Sequence, residues 1–412
     1  MQPIIHSLLD TDFYKITMAR VFFHKFPHIN ATYKFKCRNE GIIWTQEMVN
    51  EIRDNINALC ELRFTEDEID YIKSIYFMKD AHGFIEFLRM FKLNRRYIDV
   101  MYGANNLCIS AEGPIWSVSM FEIYVLAIVN EVYFKHQMAK VDKVYQQQVM
   151  EDGGHYLRRG LIKAQNSKHR LLVSDFGTRR RFSKDWQRNV LKVLKETYEN
   201  PGKDDGLNFV FTGTSNVMFA KELGLTPIGT MAHEYIQLGQ ALDNVTIANS
   251  QRYMMQVWAD EYRGHLGTAL SDTLGVDYFL KHDFDAYFAK LFDGVRHDSG
   301  CPYEFGNKMI KHYQNERIDP MTKTIIYSDG LDFDSAIELN DYFHDKIKVA
   351  FGIGTKLTNN FGNYLDPLNI VFKMVRANGK PVAKLSDVNG KCMCEDEEYL
   401  KYLRNVIAEG VK

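Results

Sequence analysis

Apolar positions recur at helical spacing over the first part of the chain. In the stretch TQEMVNEIRDNINAL, residues Met48, Val49, Ile52, Ile56 and Leu59 fall on one face, which predicts an amphipathic helix. Thr65 followed three residues later by Glu68 predicts a capping box at the start of the next helix. Short extended runs such as ATYKFKCR are interspersed, so the first 120 or so residues read as α+β. From about residue 170 the rhythm changes. Seven β-like runs at 170–175, 208–213, 226–231, 267–272, 294–298, 324–329 and 348–355 alternate with helical patterns such as KDWQRNVLKVLKETYE. That alternation predicts parallel βαβ units, in a barrel or a doubly wound sheet. The longest apolar stretch, FEIYVLAIVNEVYF from Phe121, is interrupted by Glu122, Asn130 and Glu131 and is too short for the roughly 20 residues a bilayer needs, so it predicts a buried helix.

Composition narrows the function class. The 412 residues carry 51 Lys+Arg against 53 Asp+Glu, and 45% are apolar. This is the profile of an ordinary globular enzyme, without the global basic field that a nucleic-acid or membrane-surface binder uses. Any anion must be held by local cations. Six scattered cysteines in no disulfide-like framework, and a start without an apolar signal segment, predict reduced thiols and a cytoplasmic location. Cys392 and Cys394 form a C-x-C pair, which is not zinc spacing, and no metal ligands are read from the chain. The segment PGKDDG at 201–206 reads as a loop.

The ends of the β-like runs carry the chemistry. Four finish in Ser174-Asp175, Ser271-Asp272, His297-Asp298 and Ser328-Asp329, and one finishes in Gly352-Ile353-Gly354-Thr355. Any one Asp can simply cap the next helix, but four together beside Arg and His fit a site at the carboxyl ends of parallel strands. Asp175-Phe176-Gly177-Thr178-Arg179-Arg180-Arg181 delivers an acid, an aromatic ring, a turn and three guanidiniums suited to phosphate. The glycines of 352–355 let backbone N–H groups approach an anion, and Asp329-Gly330 can accept ribose hydroxyls. The tripeptide DFG does not make a kinase, because no Gly-rich loop or catalytic loop precedes it. His233 is followed by Glu234, and Gln237 excludes a zinc-protease motif. An imidazole held by a carboxylate can still act as a nucleophile toward a phosphoryl group.

The strings LLDTDFYKITM, KFKCR, SDFGTRRRFS, FTGTSN, TPIGTMAHE, ANSQR, LSDT, VRHDSG, YSDGLD, FGIGTKLT, PLNIVFKMV and GKPVAKLSD occur in this order between about residues 6 and 395. In them the chain resembles the nicotinate phosphoribosyltransferase family. The resemblance implies an irregular α/β barrel of about seven parallel strands (126–359). It also implies a second α/β domain built from 1–125 and completed by 360–412. The implied reaction condenses nicotinate with phosphoribosyl pyrophosphate to nicotinate mononucleotide and pyrophosphate, coupled to ATP hydrolysis and assisted by Mg²⁺, in NAD salvage.

By the same resemblance His233 is the residue that ATP phosphorylates, Asp272 orients it, and Asp298 lines the pocket. Phe176 and Tyr14 sandwich the pyridine ring, with Tyr14 supplied by a neighbouring subunit if the protein is a homodimer. Arg296 and Thr230 meet the carboxylate. Arg38 and Arg179 meet the donor, with Asp329 beside them. Gly330, Gly352, Gly354 and Thr355 cradle its 5′-phosphate, and Lys384 is a further candidate for the same anion. Nicotinamide or quinolinate phosphoribosyltransferase, or a catalytically silent barrel protein, are the alternatives.

Overall fold

The structure, a computed structural model, describes residues 2–200, 208–385 and 393–411. The 201–206 loop and Cys392 lie outside the described residues. Eleven strands among them are numbered in chain order: β1 Asn30–Cys37, β2 Ile98–Gly103, β3 Asn106–Pro114, β4 Leu171–Asp175, β5 Phe209–Thr214, β6 Thr268–Leu270, β7 Gly294–His297, β8 Thr324–Tyr327, β9 Lys348–Ile353, β10 Ile370–Ala377 and β11 Lys380–Pro381.

They form two sheets. The first is antiparallel, in the order β11-β10-β1-β3-β2, so the late strands β10 and β11 pair beside the early strand β1. The helix Gln46–Leu59 buries Met48, Val49, Ile52, Ile56 and Leu59, the face read from the sequence. Thr65 and Glu68 form the reciprocal capping box, each accepting a backbone N–H of the other.

The second sheet is parallel, in the order β5-β4-β9-β8-β7-β6. It has six paired strands rather than seven. The run 226–231 makes only an isolated bridge from Pro227 to Thr214. Pro227 has no N–H to donate and Gly229 sits at φ +148°, so a ladder cannot propagate there. The run is nevertheless held on both flanks: Ile228 N donates to Thr214 O at 2.8 Å, and Arg296 of β7 donates to Met231 O at 3.3 Å.

The helix Phe121–Met138 is buried against β10 of the first sheet, the helix Gln46–Leu59 and the turn 178–180 that follows β4. The stretch Ile115–Met138 is long and apolar enough to cross a membrane, but 89% of its apolar window is buried inside the protein, as a core helix requires. A second, smaller apolar cluster, of Leu274, Tyr278, Ala383 and Leu403, docks the C-terminal helix Glu397–Val411 and fixes the segment that carries Lys384.

Candidate active site at the carboxyl edge of the parallel sheet

Parallel pairing places all the strand ends on one edge. Asp272, Asp298 and Asp329 follow β6, β7 and β8, while Phe176 follows β4. The strand order puts β4 against β9, far apart in sequence, so Phe176 N donates to Ile353 O at 2.8 Å. A Cβ on Gly352 would stand 2.8 Å from the Phe176 ring, so the loop is glycine because the ring lies against it. Gly330 has φ +66°, a backbone state glycine adopts without strain, and Asp329 beside it is exposed. Thr355 opens the short helix Thr355–Thr358 after Gly354.

His233 begins the helix His233–Leu238 and is nearly buried. Its Nε2 lies 2.7 Å from Asp272 Oδ1 and 3.6 Å from Asp298 Oδ2. The second oxygen of Asp272 accepts from Ser299 Oγ at 2.6 Å and from Lys384 Nζ at 2.8 Å, and Lys384 also reaches Asp298 Oδ2 at 3.3 Å. Lys384 is held there by its neighbours. Gln240 exchanges two hydrogen bonds with the backbone of Ala383, and Leu385 N donates to the carbonyl of Thr273, next to Asp272.

Burial and then the Lys384 ammonium hold His233 below its ordinary pKa, against the opposing pull of Asp272 and Asp298. The imidazole is therefore neutral near pH 7, and the tautomer that carries its proton on Nε2 suits the Asp272 oxygen facing that atom and leaves the lone pair on Nδ1. Burial disfavours the Asp272 charge, but His233 and Lys384 outweigh it and hold the carboxyl well below the usual range. Asp298 is held low in the same way, by Arg296, Lys384 and His233.

His233, Asp272 and Asp298 bring three donor atoms within 4.8 Å, a grouping that invites a metal. It does not fit Mg²⁺. A hard cation wants an all-oxygen shell, whereas here one donor is a ring nitrogen engaged with Asp272 and the seat between the carboxylates is filled by the Lys384 ammonium.

Arg296 gives Nη1 to Met231 O and places Nη2 3.5 Å from Asp298 Oδ1. Its buried Nε has no partner among the described residues. A buried unpaired donor costs about 1–3 kcal/mol, and an acceptor placed against this one would recover that cost. Thr230 is fixed through its carbonyl, which accepts from Thr17 Oγ1 at 2.6 Å. Tyr14 is buried within its own chain, and its backbone N would be 3.1 Å from a Cβ on Gly229. Its neighbour Lys15 is completely buried and bonds both Glu122 and Glu234.

The arginine triplet divides by role. Arg181 is fully buried, with Nη1 and Nη2 on Asp10 at 2.6 and 2.8 Å and Nε on Glu131 at 2.7 Å. The expectation of three guanidiniums facing phosphate is corrected accordingly, since Arg181 is spent on the core. Arg180 ties the turn to β10 through Ile370 O and to Asn369 Oδ1. Asp175 is likewise structural. It accepts from Gly177 N, Thr214 Oγ1 and Gln187 Nε2, which leaves three of the four strand-end acids at the site.

Arg179 is half-buried; burial lowers its pKa, but the neighbouring Tyr14 phenol and the carboxyl groups of Glu122, Asp298 and Asp12 outweigh that and raise it. Burial and then Arg179 lower Arg38. Burial, Arg179 and Arg38 bring Arg180 down to about 9. The three guanidiniums thus lie close enough for Arg179 to depress both Arg38 and Arg180, which gathers positive charge at this turn.

Sequence reasoning did not single out Glu122 or Lys373. Glu122 showed itself only as an acid inside an apolar run, and Lys373 only within the string PLNIVFKMV.

Known proteins similar to this chain point to one family. The family model described as the nicotinate phosphoribosyltransferase family matches residues 171–410, and the model of that family's N-terminal domain matches residues 9–130. A nicotinate phosphoribosyltransferase of Chromobacterium violaceum is 47% identical over 98% of this chain and 97% of its own. One of Acinetobacter baylyi is 46% identical over the same shares. The crystal structure of nicotinate phosphoribosyltransferase from Vibrio cholerae superposes with a TM-score of 0.85 at 38% identity, over 98% of this chain and 94% of that one. The one from Porphyromonas gingivalis gives 0.86 at 33%, over 98% and 100%.

Proposed function

The chain belongs to the nicotinate phosphoribosyltransferase family, and from that membership we propose how the residues at the sheet edge divide the reaction. The protein is a nicotinate phosphoribosyltransferase, an enzyme of NAD biosynthesis that acts on small molecules. In our reading Phe176 and Tyr14 flank the pyridine ring, and Arg296 with Thr230 takes the acceptor's carboxylate. The observation that carries an acid acceptor is the buried, unpartnered Nε of Arg296. A neutral amide oxygen would return less to that donor than a carboxylate does.

Arg38, Arg179, Lys384 and the glycines 330, 352 and 354, with Thr355, hold the donor, and Asp329 meets its ribose. The bond from the anomeric carbon to pyrophosphate breaks as the bond from the ring nitrogen forms. The protein's contribution is alignment of the two partners and cationic stabilisation of the departing pyrophosphate. Mg²⁺ enters this reading as the counter-ion of the donor, and no step depends on a resident metal.

We further infer that ATP coupling runs through His233. Its Nδ1 attacks the γ-phosphorus, the bond to ADP breaks, and water later releases phosphate from the ring. Asp272 keeps the Nε2 proton and offsets the charge gained. The phosphoryl group adds negative charge beside Lys384 and so redistributes the cations that face the donor. In the same reading the run 226–231 closes the sheet into a barrel. The antiparallel unit is 1–125 completed by 360–412, with 126–359 as the barrel. The enzyme works in the cytoplasm, and each subunit's site is complete in its own chain whether or not it dimerises. Competition of nicotinate with nicotinamide and quinolinate in a mononucleotide-forming assay tests the acceptor, and preference for either competitor refutes it.

A further inference from the structure

His233 and Gln240 stand at the two ends of one helical segment, because the helix His233–Leu238 runs directly into the turn Gly239–Ala241. Gln240 is 4% exposed, and both ends of its amide are engaged. Nε2 donates to Ala383 O at 2.8 Å, while Oε1 accepts from Ala383 N at 2.9 Å and from the Tyr399 hydroxyl at 2.9 Å. Two bonds to the N–H and C=O of one residue repeat the exchange between paired antiparallel strands, and they fix where the next residue sits. That residue is Lys384. Tyr399 belongs to the C-terminal helix Glu397–Val411 and reaches Lys384 only through Gln240.

The same helix grips both sides of the ion pair. Its Leu403 shares an apolar cluster with Leu274, two residues after Asp272, and with Ala383, one residue before Lys384, and Tyr399 packs against that cluster. Leu385 N donates to Thr273 O at 2.8 Å and joins the two segments between those points. The Lys384 ammonium is thereby brought to Asp272 Oδ2 at 2.8 Å and Asp298 Oδ2 at 3.3 Å.

We propose that Gln240, braced by Tyr399, is a positioning residue for the His233 site: it holds the Lys384 ammonium in its seat between Asp272 and Asp298, so that the C-terminal helix acts on the ring from outside the pocket. This rests on the role proposed above for His233 and adds two residues to it. The charged groups that face the ring are Asp272 after β6, Asp298 after β7 and Lys384 after β11. Arg296 stands on the other oxygen of Asp298, and Glu234, next along the helix, is paired with Lys15. Burial and then Lys384 lower the pKa of the ring, and the two acids raise it. An ammonium that leaves its seat lets the acids prevail, and the ring then takes up a proton closer to neutral pH.

The test follows the His233 ring by NMR in full-length protein carrying labelled histidine, titrated with pH and without any substrate. The resonance is assigned by its loss in His233→Gln. Gln240→Met keeps the side chain's length and removes all three hydrogen bonds. It is expected to raise the His233 midpoint by about half a pH unit or more, and Tyr399→Phe to raise it by a smaller amount. Gln240→Met combined with Lys384→Met should titrate as Lys384→Met alone does, because the glutamine acts through the lysine. A glutamine that served only the fold would lower the melting temperature and leave the midpoint in place. The proposal is overturned if the Gln240→Met midpoint stays within about 0.2 of wild type, or if the double variant moves beyond Lys384→Met by more than that. Should Gln240→Met not fold, Tyr399→Phe decides: an upward shift supports the proposal and an unmoved midpoint overturns it. The titration uses no ATP, so its failure is distinct from failure of the phosphohistidine role, which labelling of the wild type reads.

Discussion

Asp272 stands 2.7 Å from Nε2 of His233 with one oxygen and 2.8 Å from the Lys384 ammonium with the other. A single buried carboxylate therefore sets the imidazole's tautomer and anchors the cation that keeps it neutral. Asp272→Asn retains an acceptor but loses the charge that stabilises a phosphorylated ring. Its rate of phosphoryl transfer from ATP should fall about 100-fold or more, measured in single-turnover labelling.

The acid limb of the ATP-coupled rate follows from the sign of the His233 shift. Burial and Lys384 lower its pKa, so the neutral ring persists below pH 6.5 and the rate falls only under that value. Lys384→Met removes one depressing charge, and its acid limb should move upward. Asp272, held low in the folded protein, contributes stability that is present above its ordinary 3.8 and is lost as pH falls through the lower folded value. Acid denaturation curves of wild type and Asp272→Asn should accordingly converge at low pH.

Gly352→Ala connects the donor cradle to the acceptor ring. The added methyl would meet the Phe176 ring at 2.8 Å and displace it. KM for nicotinate should rise several-fold, although the substitution lies in the phosphate loop. Unchanged KM for nicotinate would separate the two subsites.

Arg179 and Arg181 are two residues apart and should fail differently. Arg181→Met strands Asp10 and Glu131 in the core, a loss of about 3–5 kcal/mol that thermal unfolding will register. Arg179→Met should leave the melting temperature within a few degrees and raise KM for the donor.

Tyr14 is buried in its own chain beside Gly229, and its phenol neighbours Arg179 of that chain. A mixture of Tyr14→Ala and Asp272→Asn proteins should therefore recover no activity by exchanging subunits. Recovery would place Tyr14 in a partner's site.

Much of this was legible because it is local. Helix faces such as Met48 to Leu59, the Thr65 capping box and the acids closing β6, β7 and β8 are written in short-range periodicity. The fate of Arg181 was not legible, because its partners Asp10 and Glu131 lie 171 and 50 residues away. The run 226–231 has strand composition, but whether it joins a ladder depends on Pro227 and on the neighbours it meets. Glu122 looked like an interruption in an apolar helix, and only folding shows that it meets Lys15 and approaches Lys373. Lys384 was read as an anion ligand, and the carboxylates that occupy it in the resting site come from β6 and β7, distant in the chain.

The most direct measurement is labelling with γ-labelled ATP. The account predicts acid-labile, alkali-stable label on the wild type, none on His233→Ala, and faster nicotinate mononucleotide formation only where label forms. Equal, acid-stable label on wild type and His233→Ala would contradict it.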